Sequence, residues 1–236
     1  MLVELEGFHA VKHALRFAPE LVGAVTVRSL ERAAGLAHEL APDVTAALLA
    51  RAVVGPVGHP TGVAATATVP AYDGAVLQSR TSPLVLLDDP RHPGNVGAVV
   101  RVAAAAGASG VAVAGRLDPW HPAVLRGSAG LHFALPVLTT RPEQVRGPLW
   151  VLDADGTALG DVPLDVVPSD VVLVVGSERA GVGPVLRARA DAVVALPMRA
   201  GVSSLNLATA VAAVLYRWRL GEPPAVGRLR PRDCSA

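Results

Sequence analysis

The sequence predicts an α/β protein whose C-terminal part is a mostly parallel sheet flanked by helices. Three observations lead there. Short apolar runs recur at Leu84–Leu87, Val111–Ala114, Phe133–Leu138, Leu149–Leu152, Val171–Val175 and Val193–Leu196. Between several of them lie segments with helical spacing, the clearest from Val96 to Ala106 before Gly107, a residue suited to a helix C-terminus. Strands alternating with helices in this way favour a parallel sheet covered on both faces. Finally, 51% of the 236 residues are apolar, ample for a sizeable core, and with only 3% aromatics that core is built from Val, Ala and Leu.

The N-terminal part, to about residue 75, reads as a small α/β unit. Phe8, Val11 and Leu15 follow a helical spacing within Gly7–Arg16. Leu21–Val27 reads as a strand. Ser29 is placed to cap a helix running to Leu40, which Pro42 ends. Leu48–Val54 fits either the end of a helix or a strand. A turn cluster, Gly58-His59-Pro60-Thr61-Gly62, precedes Val63–Val69, where apolar residues alternate with Thr as in a strand. Pro70–Pro83, rich in Pro, Gly, Asp, Ser and Thr, reads as a linker. The residues around Trp120, His121, Pro122 and Arg126 read as a loop. After Leu220 come Gly221, Pro223 and Pro224, then Arg228, Arg230 and Arg232 in a tail expected to fray.

Net charge is +1, with a single lysine, Lys12, so any nucleic-acid affinity must come from local arginine patches or from the combined surface of a dimer. Cys234 is the only cysteine, which excludes an intramolecular disulfide and a Cys-based zinc site, and no metal is expected. The N-terminus carries Glu4 and Glu6 and lacks a long apolar core, unlike a secretory signal. No apolar stretch approaches the ~18 residues that span a bilayer. These features predict a soluble cytoplasmic protein.

Three stretches carry chemistry. Leu196–Tyr216 begins after a β-branched run, passes a Gly-containing loop with Ser203 and Ser204 at the expected cap of a helix, and continues almost wholly apolar. A helix apolar all round is buried on all sides, and Asn206 just inside it needs partners for its amide. Asp88–Asn95 follows a strand, the place where open α/β sheets bind ligands. Asn95 also fits a simple helix cap. Arg101 lies amid Val99, Val100, Val102 and Ala103, where its charge requires solvent or an anion. Val171–Pro184 is a strand entering a glycine-rich turn. It lacks the P-loop pattern, and no Gly-x-Gly-x-x-Gly opens a helix, which argues against nucleotide-binding enzymes of those classes.

Taken together, Asn95-Val-Gly97 with Arg101 and Ala103, Leu173–Gly181 with Gly176 and Glu178, and Pro197-Met198 followed by Ser204-Leu205-Asn206 resemble, in order, the three motifs of the SpoU/TrmH-type RNA 2′-O-ribose methyltransferases of the SPOUT superfamily. The likeness covers about Pro83 to Leu220. It implies a catalytic domain over 84–222 with a deep trefoil knot, a linker over 76–83 and an Arg-rich tail over 223–236. Residues 1–75, with Gly7, His9 and Val11 and the His59–Gly62 turn, resemble the RNA-binding domain found in several members.

The resemblance implies S-adenosylmethionine as cofactor, rRNA or tRNA as partner, and a homodimer built on the helix after Ser204. It makes Asn95, Arg101, Glu178, Ser204 and Asn206 catalytic residues, and Gly176, Leu196 and Leu205 cofactor contacts. Asp153, after the Leu149–Leu152 strand, is a further cofactor-side candidate from its position. Since a guanidinium stays charged, Arg101 is expected to bind the phosphate beside the target and orient the hydroxyl rather than act as a base. Ala200 and Ser203 depart from the family's usual glycine and glutamate, which bears on loop geometry and substrate choice. The alternative is a catalytically inactive RNA-binding protein on the same fold.

Overall fold

The computed structural model describes residues 1–163, 166–178 and 180–221; Cys234 and Arg228, Arg230 and Arg232 lie outside them. Its first sheet contains β1 (Leu2–Glu6), β2 (Val22–Val27), β3 (Ala52–Val54) and β4 (Val63–Thr68), in the order β1-β4-β2-β3. Strand β4 runs antiparallel to both β1 and β2, and β3 pairs parallel with β2. Helix α1 (Phe8–Phe17) buries Phe8, Val11 and Leu15, as their spacing dictates. Ser29 caps α2 (Leu30–Leu40) by accepting from the Arg32 N–H at 3.3 Å. The ambiguous stretch 48–54 is both things in turn: α3 (Thr45–Leu49), then β3. Strand β1 has no counterpart in the sequence expectations. Only Leu5 of its five residues is buried, and its partner β4 lies some 60 positions away.

The second sheet has six strands, β5 (Leu84–Asp88), β6 (Gly110–Ala114), β7 (Val137–Thr140), β8 (Leu149–Ala158), β9 (Val172–Val175) and β10 (Ala192–Ala195). Their order is β10-β8-β9-β5-β6-β7 and every pairing is parallel. One face packs Val85, Leu87, Val113 and Val175 against Val96, Val99 and Val100 of α4 (Pro93–Ala106) and Leu207, Val211 and Leu215 of α7 (Leu207–Gly221). The other face packs Leu84, Leu86, Val172 and Val174 against Leu186 of the short α6 (Pro184–Ala188). Leu77, from a helical turn at Ala75–Leu77 in the expected linker, is buried in that same layer.

Three expectations need correction. The loop around Trp120–Arg126 contains α5 (Pro122–Ser128), started by Pro122 and by the His121 ring, which accepts from the Ala123 N–H at 3.2 Å. The strand expected at Phe133–Leu138 begins only at Val137, because Leu131–Phe133 is a helical turn. The apolar residues there serve packing, with the Phe133 ring edge-on to Trp120. Finally, α7 is buried on one side in this chain, since Thr209, Ala213 and Tyr216 are exposed.

The two sheets share one continuous apolar cluster. Helix α1 lies on the turn after α5 so closely that a Cβ at Gly130 (φ +76°) would stand 2.5 Å from the Ala10 carbonyl oxygen. His13 Nδ1 bonds the Ala129 carbonyl at 2.7 Å, and Arg126 pairs with Glu6 at 3.3 Å. Among the described residues, no helix is long and apolar enough to cross a membrane.

Candidate active site

Because β5, β8, β9 and β10 are parallel, their carboxyl ends share one edge of the sheet, and the loops that follow them meet there. Asp88, at the end of β5, accepts from the Gly183 N–H at 2.7 Å and so ties the first loop to the one after β9. Next to this tie runs a chain of polar side chains. Asn206 accepts from the N–H groups of Ala208 (2.9 Å) and Thr209 (3.3 Å), and its Nδ2 donates to Asn95 Oδ1 at 3.0 Å. Asn95 Nδ2 donates in turn to Glu178 Oε1 at 2.7 Å, while Glu178 Oε2 accepts from the Arg91 N–H at 3.3 Å.

This chain has one direction. The first turn of α7 offers only donors, so Asn206 must turn its oxygen to the helix and its NH₂ to Asn95. Asn95 then has its NH₂ left for a carboxylate. Burial by itself would raise the Glu178 carboxyl pKa, but hydrogen bonds from Asn95, its own backbone and Arg91, with the charge of His92, outweigh it and hold the pKa below the ordinary value. Glu178 is therefore an anion at neutral pH.

The cap of α7 is thus Asn206 rather than Ser203 or Ser204, and Asn206 precedes the helix instead of lying inside it. Nor does Asn95 cap α4. That helix starts at Pro93, and the Asn95 side chain is free to face Glu178.

Beside the polar chain opens a cavity of about 240 Å³. It is lined by the apolar Leu152, Leu196, Met198 and Leu205 and by the polar Asp153, Ser203 and Ser204. Gly176, Ser177 and Glu178 also line it. Ser177 and Gly181 exchange backbone hydrogen bonds at 3.1 and 3.0 Å, folding the turn back on Gly176. A Cβ at Gly176 would lie 1.9 Å from the Gly181 carbonyl carbon, so only glycine fits. Arg187 of α6 holds Asp153 at 2.5 Å and Asp155 at 2.6 Å.

Eight of the nine sequence-predicted residues meet at this edge of the sheet. Asn95, Glu178 and Asn206 form the hydrogen-bonded chain, and Glu178, Ser204, Asp153, Gly176, Leu196 and Leu205 line the cavity. Arg101 does not join them. It lies six residues past Asn95 on α4, about 9 Å of helical rise and a third of a turn away from that residue's face. There it is exposed, and its charge acts on His9 and Lys12 of α1. Asp88 and Met198 lie in stretches the sequence singled out but were not named as site residues, and Arg187 was not singled out at all. The Asp88-Asp89 pair hinted at the first, but only the fold shows which carboxylate turns to Gly183.

The arrangement offers a cavity lined by leucines, serines and carboxylates, adjoining a fixed pair of amides, a site suited to a cofactor with an aromatic base beside a polar substrate. The profile of the SpoU rRNA Methylase family matches residues 82–216, and the chain belongs to that family.

Among its relatives, a 23S rRNA (uridine(2479)-2′-O)-methyltransferase of Streptomyces viridochromogenes is 37% identical over 66% of this chain and 59% of its own length. A 23S rRNA (guanosine(2553)-2′-O)-methyltransferase of Bacillus subtilis is 29% identical over 91% of this chain and 87% of its own. The matched part therefore spans less than two thirds of the first relative and most of the second. Among solved structures, the SpoU methyltransferase AviRb of Streptomyces viridochromogenes with AdoMet bound superposes with a TM-score of 0.75 at 26% identity, over 93% of this chain and 90% of that one. An RNA 2′-O ribose methyltransferase gives 0.69 at 27% identity, over 93% and 89%.

Proposed function

We infer that this chain is an S-adenosylmethionine-dependent methyltransferase that modifies a ribose 2′-hydroxyl in RNA, with rRNA the class its relatives favour. The observation that carries the reading is the chain Asn206–Asn95–Glu178, which joins the first turn of α4 to the loop after β9 and the loop before α7 beside a cavity. The residues present fit the cofactor: Leu152, Leu196 and Leu205 would give its base apolar contacts, Gly176 would let it approach the backbone, and Asp153 would offer a carboxylate to its polar groups. When bound, the cofactor supplies an electrophilic methyl group on a sulfonium sulfur. Asn95 and Asn206, locked by Glu178, fix the position of the reacting groups, and the Ser204 hydroxyl borders them. Such positioning contributes to rate by holding the nucleophile in line. Arg101 binds the phosphate beside the target nucleotide and orients the hydroxyl.

In this reading residues 1–75 form an RNA-binding domain, 76–83 a linker, 84–222 the knotted catalytic domain and 223–236 an Arg-rich tail. A second copy covers the exposed side of α7, where Tyr216 is 41% and Leu220 81% accessible. The protein acts in the cytoplasm. Titration calorimetry with S-adenosylmethionine, with Asn206→Ala as control, tests the cofactor assignment. Mapping 2′-O-methyl sites in RNA from cells with and without the gene tests the reaction. Absence of binding together with identical maps overturns the reading.

A further inference from the structure

Asp89, next to the Asp88 that closes on Gly183, holds a backbone conformation that suits glycine. Its φ is +48°, and Pro90 follows, which narrows the accessible backbone further. Among the described residues only Ala129 shares a positive φ without being glycine, and it has a local reason, since it ends α5 in a left-handed cap. Asp89 ends no helix. It is held from two sides: its N–H donates to the Ala114 carbonyl at 2.7 Å, and a Cβ at Gly115 would stand 2.9 Å from its Cα. What a glycine could not supply is the side chain. Asp89 Oδ2 accepts from Arg91 Nη2 at 2.5 Å, across the buried Pro90. Both side chains are open to water, Arg91 62% and Asp89 43% accessible, so the pair adds little to stability. It does close a three-residue turn, and the last N–H of that turn is the one that donates to Glu178 Oε2 at 3.3 Å.

Backbone strain that stability does not explain, kept beside a hydrogen-bonded site, points to positioning. We propose that Asp89 and Arg91 are positioning residues for Glu178: their ion pair closes the turn around Pro90 so that the Arg91 N–H stays on the Glu178 carboxylate. This rests on the RNA methyltransferase reading and carries its chain Asn206–Asn95–Glu178 on to a strap built from the loop after β5. Each Glu178 oxygen has its own donor, Asn95 Nδ2 on Oε1 and the Arg91 N–H on Oε2. Two donors fix the plane of the carboxylate, whereas one leaves it free to turn. With the strap open, Glu178 rotates about its last side-chain bond, the Asn95 NH₂ follows it, and the Asn95 oxygen leaves Asn206.

The test uses the full-length protein and two readouts. Tritiated methyl transfer to bulk ribosomal RNA from cells lacking the gene gives kcat and KM. Asp89→Gly and Arg91→Gln are each expected to lower kcat about tenfold or more, as small misplacements around a reacting centre do, with KM for RNA and S-adenosylmethionine affinity unchanged. The double variant loses no more than either single one, because both open the same strap. Arg91→Lys still pairs with Asp89 and restores most of kcat. The Tm of Asp89→Gly stays within about 3 °C of the wild type, since release of the strained φ offsets the lost pair. The second readout needs no activity. In amide NMR spectra the Arg91 N–H shifts as Glu178 titrates, and Glu178→Gln separates that response from the titrations of Asp89 and His92 nearby. Asp89→Gly is expected to abolish the same response. Full kcat in Asp89→Gly, a rise in KM without a fall in kcat, a kcat loss matched by a larger drop in Tm, or an Arg91 amide that still follows Glu178 in Asp89→Gly overturns the proposal. A wild type without methyl transfer whose Arg91 amide behaves as expected leaves the strap standing and removes the methyltransferase reading instead.

Discussion

Asn206 does two jobs at once, and substitution can separate them. Its oxygen caps α7 through Ala208 and Thr209, and its nitrogen fixes Asn95. Asn206→Ala loses a cap, worth about 1 kcal/mol, and a side-chain hydrogen bond, worth about 1 kcal/mol more. Little is added for stranding the Asn95 oxygen, because that bond lies in exposed surroundings where water replaces the lost donor. The expected destabilisation is about 2 kcal/mol, which for a chain of this size lowers Tm by about 4–8 °C. Asn206→Ser keeps a capping oxygen but cannot reach Asn95. It should lie within about 1 kcal/mol of the wild type while losing methyl-transfer kcat about as severely as Asn206→Ala. Differential scanning calorimetry and single-turnover transfer measure the two effects. The reasoning fails if Asn206→Ala is as stable as the wild type, or if Asn206→Ser is fully active.

His132 is wholly buried, bonded to Ser128 and to the Pro119 carbonyl, and burial lowers its pKa from 6.5 to about 4. The unfolded chain thus binds a proton that the folded one refuses, so stability is full above pH 6.5 and falls as pH drops toward 4. This single group predicts a loss of about 2 kcal/mol between pH 7 and pH 5. Denaturant titrations should show His132→Asn losing less over that interval, against a smaller contribution in the same direction from His13. Gly176→Ala forces a methyl into the Gly181 backbone and should cost about 1–3 kcal/mol in stability, with more than tenfold weaker S-adenosylmethionine binding by calorimetry. Arg101→Lys keeps the charge but not the planar fork, so methyl transfer should fall at least tenfold; near-full activity would exclude a bidentate phosphate contact.

Much of the architecture was legible because it is local. The strands from Leu84, Val111, Val171 and Val193 announce themselves as apolar runs, and α4 ends at Gly107, whose φ of +78° suits glycine. The three-motif likeness singled out residues that, Arg101 apart, the fold gathers at one edge of the sheet. What misled were residues whose neighbours are distant in sequence. Phe133 and Leu135 looked like strand but are held by packing around Trp120 and His132. Strand β1 exists because β4 borders it.

The sequence alone determined most of the strands of the second sheet and the helix that ends at Gly107, and it singled out Asn95, Glu178 and Asn206, which the fold brings into one hydrogen-bonded chain. Only the tertiary structure decided that Asn206 reaches Asn95 across 111 positions, that Asp88 closes on Gly183, and that Arg101 is exposed on α4 outside the hydrogen-bonded chain. The physical reason is range. Hydrophobic periodicity and turn residues act within a few positions of the chain, whereas the partner of a polar side chain depends on which loops the sheet order brings to the same edge.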